Sequence, residues 1–368
     1  MHIYPSTLDL CQPLKVGIDN ILSATPTDTI CGVVVCGTSD EVEYHTLLDE
    51  LKRAFSDALG RRVPITLVPQ TLLPENGLAV EIYSLDGGAA ISIKEHDDIC
   101  YGLIESDNES LLFVEGIAAS DFSASVAEQS HEVFAKLESI LSHTGFSVDD
   151  IVRQWNYIGG IVSYRGSKQN YQEFNDARSA YYSKGEWPNG YPAATGIGTA
   201  GEGIVVSAIA FKSLNGSAIH PIDNPLQVAA HIYSKSVLVD DNAGAIKSTP
   251  KFERAKLVES EMGVCCFVSG TAAIRGEESV DANSAELQTV RTIENIEYLV
   301  SKENLVRFGC KPYDLKYAKL HIFIKREEDY DAVRKVVEEA YPQVAVVYTI
   351  ADVCRRELLV EIEGILIS

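Results

Sequence analysis

The feature that most constrains this chain is that it resembles itself. "LLFVEGIAA" (111–119) and "CCFVSGTAA" (265–273) share Phe, Val, Gly and a closing Ala-Ala pair in register. After the first comes "SVAEQSHEVFAKLESILS", and after the second "SAELQTVRTIENIEYLVS". With Gln129 aligned on Gln288, Phe134, Leu137 and Ile140 fall opposite Ile293, Ile296 and Leu299, which is the spacing of a helix with one apolar face. Each copy continues through a strand-like run, "IVRQWNYI" (151–158) or "AKLHIFI" (318–324). A second helical stretch follows, "NYQEFNDARSAYY" (170–182) or "EEDYDAVRKVVEEAY" (327–341). The closing strands are "IVVSAIAF" (204–211) and "LLVEIEGI" (358–365). The order strand, helix, strand, helix, strand is thus made twice.

This order predicts an α+β protein of two tandem units, each a mixed sheet with two helices on one face. The bare faces are buried by packing sheet against sheet, leaving a cleft between the copies for a ligand. Further strand-like runs, "ICGVVVCG", "LAVEIYSL" and "AAISIKE", lie within 28–105 and are expected to extend the first sheet. The expected domains are 1–215, with the additional N-terminal strand region, and 216–368, carrying the last strand. The connection over 212–260 holds the turn signals "NGS", "HPIDNP" and "DDNAGAIKSTP". A loop that long inside a compact protein is more often functional than idle.

The last strand raises the chemical question. In "LLVEIEG" (358–364), Glu361 and Glu363 share one face of an otherwise apolar strand. When Val206 is paired with Val360, Ser207 stands opposite Glu361, so the first copy manages without a carboxylate there. The acid therefore reads as belonging to a site rather than to the scaffold.

Charge and cysteine content limit the alternatives. The formal net charge is −22, which argues against binding nucleic acid through its phosphates. A small anion needs only a few local cations and is not excluded. The start "MHIYPSTLDL" lacks the pattern of a secretory signal, and no stretch approaches the ~18 apolar residues of a membrane span. The eight cysteines form no CxxC pair and no zinc-like cluster. They read as reduced thiols of a cytoplasmic protein.

Five stretches together resemble the chorismatases, enzymes related to the Rid (YjgF) fold. They are "RQWNYI" (153–158), "NYQEFNDAR" (170–178), "YPAATGIG" (191–198), "PKFERA" (250–255) and "DVCRRELLVEIEG" (352–364), with "SGTAAI" (269–274) in support. The resemblance implies two Rid-like units and removal of pyruvate from chorismate. It also implies general-acid protonation of the enolpyruvyl group by Glu361, with no metal or organic cofactor. Cys354 and Gly270 match the subtype that forms 3-hydroxybenzoate, in which the cysteine steers an intermediate. Two positions depart from the family pattern: Glu277 stands where members carry a His, and Leu226 where they carry an Arg.

Residue chemistry agrees with that assignment. Cleaving an enol ether needs a carboxyl still protonated near neutral pH, and burial on an apolar strand supplies one. Glu363 supports it by like-charge repulsion. The substrate carboxylates call for rigid cations, for which Arg178, Arg254 and Arg355 are the candidates. Tyr171, Tyr182 and Tyr233 are candidates for the ring pocket, and Thr195 for a hydrogen bond to the substrate. The glycines of "GIGTAG" are expected in a tight turn.

Three other readings stand beside this one. A chorismatase could release a dihydroxycyclohexadiene acid or 4-hydroxybenzoate. A non-catalytic relative could bind an aromatic acid. A Rid-type imine deaminase would need an Arg on the strand before the last, and "YPQVAVVYTIADV" (341–353) has none. The sequence leaves monomer and homo-oligomer open.

Overall fold

The structure is a computed structural model. It describes all residues except 10–11, 38–43, 75–76, 86–89, 166–167, 202, 215–218 and 234–247. Most of the "DDNAGAIKSTP" stretch of the long connection therefore lies outside the described residues.

Among the described residues three large sheets, not two, carry the fold, beside two short hairpins. Unit A comprises strand β1 (His2–Leu8), helix α1 (Leu14–Ser23), β2 (Ile30–Cys36), α2 (Tyr44–Leu59), β3 (Ile65–Val68) and β4 (Leu78–Ser84), with strand order β1-β4-β2-β3. Unit B begins with the hairpin β5 (Ile91–His96) and β6 (Ile99–Glu105). It continues through β7 (Glu109–Ala118), α3 (Val126–His143), β8 (Ile151–Gly159), the short hairpin β9 (Tyr164–Arg165) and β10 (Lys168–Gln169), and α4 (Asn170–Tyr182). It closes with β11 (Ala193–Thr199) and β12 (Ile204–Ser213), in the order β11-β8-β12-β7-β6-β5.

Unit C opens with β13 (Ile219–Ile222), β14 (Ala255–Ser260) and β15 (Gly263–Ala272), then the short hairpin β16 (Ile274–Arg275) and β17 (Glu278–Ser279). Helices α5 (Ala285–Leu299) and α6 (Lys302–Arg307) lead to β18 (Lys316–Ile324), α7 (Tyr330–Ala340), β19 (Val346–Ile350) and β20 (Val360–Ile367). Its strand order is β13-β14-β15-β20-β18-β19.

The three sheets share one βαβαββ core. In each, the last strand is antiparallel to both neighbours, and the edge strand is parallel to the one beside it. Two copies are what the sequence predicts. The third, unit A, forms its own sheet, and only β5 and β6 extend the first six-stranded sheet.

Each sheet sorts its side chains by the period of two. Val206, Ala208 and Ala210 of β12 face α3 and α4, and Ile322 and Ile362 face α5 and α7. The opposite faces converge on one shared core, where Val33 and Ile82 of A meet Phe113 and Ile209 of B and Phe267, Phe323 and Ile365 of C. Glu361 and Glu363 lie on this inner face, in alternation with Ile365. Among the described residues, no helix is long and apolar enough to cross a membrane.

Corresponding rows run across the three sheets. Thr195 pairs with Trp155 and Trp155 with Ser207; Thr66 with Val34 and Val34 with Glu81; Thr349 with Phe323 and Phe323 with Glu361. The edge position is threonine every time. The last-strand position is Ser207 in B, Glu361 in C and Glu81 in A. An acid at this row is therefore not unique to unit C. Glu81 is, however, neutralised by a buried ion pair with Lys319, whose Nζ also donates to the Tyr83 hydroxyl at 2.9 Å.

Candidate active site

The site lies where the edge of sheet B crosses unit C. The β11 backbone is fastened to C by Ala194 N–H donating to Ser269 Oγ at 2.9 Å and by Gly270 N–H donating to Thr195 Oγ1 at 3.1 Å. Gly196 and Gly198 lie within β11, rather than in the tight turn expected from "GIGTAG". Their role is close approach. A Cβ at Gly198 would come 2.8 Å from the Asp352 carbonyl oxygen, and one at Gly196 would press on the Tyr171 ring at 3.2 Å. Only Gly201, after the strand, has a left-handed φ of +78°.

The cleft between β11, α4 and unit C has a volume of about 100 Å³. Seven of the residues singled out in the sequence line it: Glu361, Cys354, Gly270, Tyr171, Tyr233, Arg254 and Arg355. Asn175, Gln172 and Phe252 join them. Tyr182, Arg178 and Thr195 sit behind the lining. The Tyr182 hydroxyl donates to Gln154 Oε1 at 2.8 Å. Arg178 Nη2 donates to Asn175 Oδ1 at 2.5 Å, holding an amide that faces the cleft.

Glu361 is buried, and among the described residues its carboxyl accepts no hydrogen bond. Burial foremost, then the charge of Glu363, push its pKa up to about 8, against the pull of Arg153 and Arg254. Gly270 makes the space that this carboxyl fills, since a Cβ there would lie 2.0 Å from Glu361 Oε1.

Two residues further along, Glu363 has the opposite fate. Burial works against its ionisation, but Arg153, Lys319, His321 and the Thr195 hydroxyl together hold its pKa below the ordinary value. Arg153 Nη2 donates to Glu363 Oε2 at 2.6 Å and to Thr195 Oγ1 at 2.7 Å. Trp155 Nε1 donates to Glu363 Oε1 at 3.0 Å, while the Arg153 guanidinium stacks 4.4 Å from the indole. The two glutamates are thus one protonated acid and one fixed carboxylate.

Arg153 and Trp155 received no role from sequence reasoning, although "RQWNYI" was singled out. The available signal was an arginine alternating with apolar residues inside a strand, the same signal that exposed Glu361.

The cations form the far wall. Arg254 Nη2 donates to the Tyr233 hydroxyl at 2.6 Å and to the Val228 carbonyl at 2.8 Å. Arg355 Nη1 donates to the Glu277 carbonyl at 2.9 Å and to Ser279 Oγ at 3.2 Å. Both guanidinium groups lie over the Tyr233 ring, at 5.7 and 5.4 Å. The two departures from the family pattern are neighbours in space: the Leu226 carbonyl accepts from Gly276 N–H at 2.9 Å, next to Glu277. Cys354 is a buried thiol whose pKa is pushed up to about 12 by burial and by Glu361, so it is neutral. Among the described residues, no cluster of His, Cys, Asp and Glu is placed to hold a metal ion.

The chain is similar to known proteins in sequence and in fold. Residues 86–210 match the family described as chorismatase FkbO/Hyg5-like, N-terminal. The chain is 33% identical over 247 residues to a 3-hydroxybenzoate synthase of Streptomyces hygroscopicus, covering 65% of this chain and 69% of that one. A chorismatase of the same organism is 28% identical over 270 residues, covering 72% and 74%. The crystal structure of a chorismatase, 23% identical, matches over 99% of this chain and 98% of that chain with a TM-score of 0.72, which is the same fold.

Proposed function

The chain belongs to the chorismatase family, and we propose that its Glu361 cleft removes pyruvate from chorismate and releases 3-hydroxybenzoate. What carries this reading is the Glu361 carboxyl: buried, accepting no hydrogen bond among the described residues, its pKa pushed up to about 8 by burial and by Glu363, whose carboxylate is paired with Arg153.

Glu361 gives its proton to the terminal methylene carbon of the enolpyruvyl group. The ether-bearing carbon becomes an oxocarbenium ion, and Glu361 becomes a carboxylate able to stabilise it. Glu363, already ionised, keeps its neighbour in the protonated form near neutral pH without itself entering the cleft. Adding water to the oxocarbenium carbon leaves both ring oxygens in place and gives the diene. Breaking the bond between the ring and the ether oxygen leaves only the C4 oxygen, which must move to C3 before a ring proton is lost to give 3-hydroxybenzoate. The aromatising route divides chorismate into pyruvate and 3-hydroxybenzoate with no atoms left over. The diene route takes up one water.

Arg254 and Arg355 hold the substrate carboxylates, and Tyr233, between them, fixes their direction. Tyr171 packs on the ring. Thr195 and Arg178 act one step back, as positioning residues for Glu363 and Asn175. Cys354 steers the ring intermediate, a role supported by its neutral thiol in the cleft wall and by the likeness to a 3-hydroxybenzoate synthase.

At the level of fold, we read the repeated βαβαββ core as Rid-like. Residues 1–215 then hold units A and B, and residues 216–368 hold unit C with the catalytic strand. The seven cysteines unpaired among the described residues fit a reducing cytoplasm.

The test is to incubate the purified protein with chorismate, separate the products by chromatography and follow pyruvate by a coupled assay. Equal amounts of pyruvate and 3-hydroxybenzoate are expected. Pyruvate with a non-aromatic ring acid overturns the subtype, and no pyruvate overturns the function.

A further inference from the structure

The same kind of interface recurs one step around the fold, and it too is hollow. Where the edge of sheet A crosses unit B, Ile65, Glu115 and Gly116 floor a cavity of about 450 Å³. Its parts correspond to those of the Glu361 cleft. Edge strand β3 stands for β11, helix α2 for α4, and the bulge at Gly116 (φ +67°) for Gly270. A Cβ at Gly116 would come 2.2 Å from the Ile65 carbonyl oxygen, so the two units are in backbone contact at the floor.

The lining differs in a way that selects a ligand. Glu115 is buried, and its carboxyl is the polar group of the floor, bonded to Thr66. Val63, Ile65 and Ile99 supply apolar wall. Lys52 and Arg53 stand exposed at the mouth on α2, and neither has an acidic partner among the described residues; Arg53 Nε donates only to the Asp49 carbonyl. Arg62, also in the lining, is paired with Glu95. The remaining acid of the rim is Asp98, in the β5–β6 turn. Two free cations stand against one free acid at the rim and the titrating Glu115 at the floor, so a single negative charge is admitted at the mouth and a polyanion is opposed. The volume is ample for a ring ligand, and the charge balance rather than the volume disfavours a nucleotide.

We propose that this A–B cleft is a second ligand site, taking a small ring carboxylate whose ring lies on Val63, Ile65 and Ile99 and whose carboxylate is held by Lys52 and Arg53. It binds and does not turn over. The positions of Glu363 and Arg153 are taken here by Ile209 and Gly32, and the buried charges that act on Glu115 are those of the Glu81–Lys319 ion pair, which oppose each other instead of adding one uncompensated like charge. Burial pushes the Glu115 pKa up to about 7, so near neutral pH its hydroxyl form is available to donate to the ligand. The claim stands apart from which product the Glu361 cleft releases, because it is read by binding alone.

The experiment is calorimetric titration of the full chain with 3-hydroxybenzoate. Two sites are expected. The double variant Lys52→Glu/Arg53→Glu weakens one of them at least tenfold, with chorismate turnover unchanged. Ser56→Trp, which fills the mouth without altering charge, does the same. Arg254→Ala weakens the other site only. A single site removed by Arg254→Ala, or a second site indifferent to both α2 variants, overturns the proposal.

Discussion

The B–C cleft and the A–B cleft are built from the same parts but carry their acid on different strands. Each has a threonine on the short edge strand, Thr195 or Thr66, and a bulge glycine on the strand it crosses, Gly270 or Gly116. In the B–C cleft the residue before the glycine is Ser269, and the last strand offers Glu361. In the A–B cleft the residue before the glycine is Glu115, and the last strand offers Ser207. Serine and glutamate have exchanged places.

The consequence is electrostatic. Glu115 is tied to Thr66, which also meets Ser207 at 2.6 Å, and these bonds restrain the rise that burial causes. Glu361 has no such restraint and has Glu363 beside it, so its pKa climbs further. The threonine has changed allegiance as well. In one cleft it serves the acid at the floor; in the other it serves the second carboxylate and leaves the acid free.

The sharpest way to break this comparison is to remove each acid in turn. Glu361→Gln should lower pyruvate release by roughly 10²–10⁴-fold with folding intact, because the proton donor is gone. Glu115→Gln, the same change one interface away, should leave turnover within about twofold of wild type, since Glu115 touches no reacting atom on this account. Comparable losses in both variants would dissolve the distinction.

Gly270→Ala comes next. Its methyl group would occupy the place of Glu361 Oε1, and a displacement of that kind costs about 10²-fold in rate. The obstacle is the end of a side chain, so denaturant unfolding should show stability nearly unchanged.

Glu363→Gln acts on the environment of the acid. It strips the like charge from Glu361 and leaves Arg153 unpaired, and both changes lower the Glu361 pKa. The alkaline fall of kcat/KM should therefore move to lower pH. Unfolding should show a loss of about 3–5 kcal/mol for the orphaned buried cation. A limb that stays in place would show that Glu363 is not what sets its neighbour.

The smallest effect concerns the product rather than the rate. Cys354→Ala should shift the ring product from 3-hydroxybenzoate toward a non-aromatic diene, read by chromatography. An unchanged ratio removes the steering role.

The comparison also marks how far the sequence alone could be read. Units B and C were visible because their helices and strands keep strong periods; α4 spans the residues expected of it, 170–182. Unit A was hidden for physical reasons. Its first strand contains Pro5, tolerated because β1 is an edge strand. Its first helix has no side-chain cap and no acid in its first turn. The β11 strand was missed because its glycines look like a turn, whereas they permit backbone and ring contact from other elements.

The buried place of Glu361 in the cleft wall was legible, since a carboxylate alternating with apolar residues on a strand is a local pattern. The Arg153–Glu363 pair beside it was not. Arg153 reaches Glu363 across 210 positions of sequence, and no local period reports such a pair. Thr195 was found for the wrong partner: its hydroxyl donates to Glu363 instead of facing the cleft.

The central claim is that Glu361 works in its protonated form. The most direct test is the pH dependence of kcat/KM for pyruvate release from chorismate by the wild-type protein, which reports the free enzyme. An acid with a pKa raised to about 8 is protonated below that pH and loses its proton above it. The account therefore predicts a rate constant that holds through neutral pH and falls tenfold per pH unit beyond about 8. A rate that instead rises through this range would mean that the carboxylate is the active form, and would contradict the account.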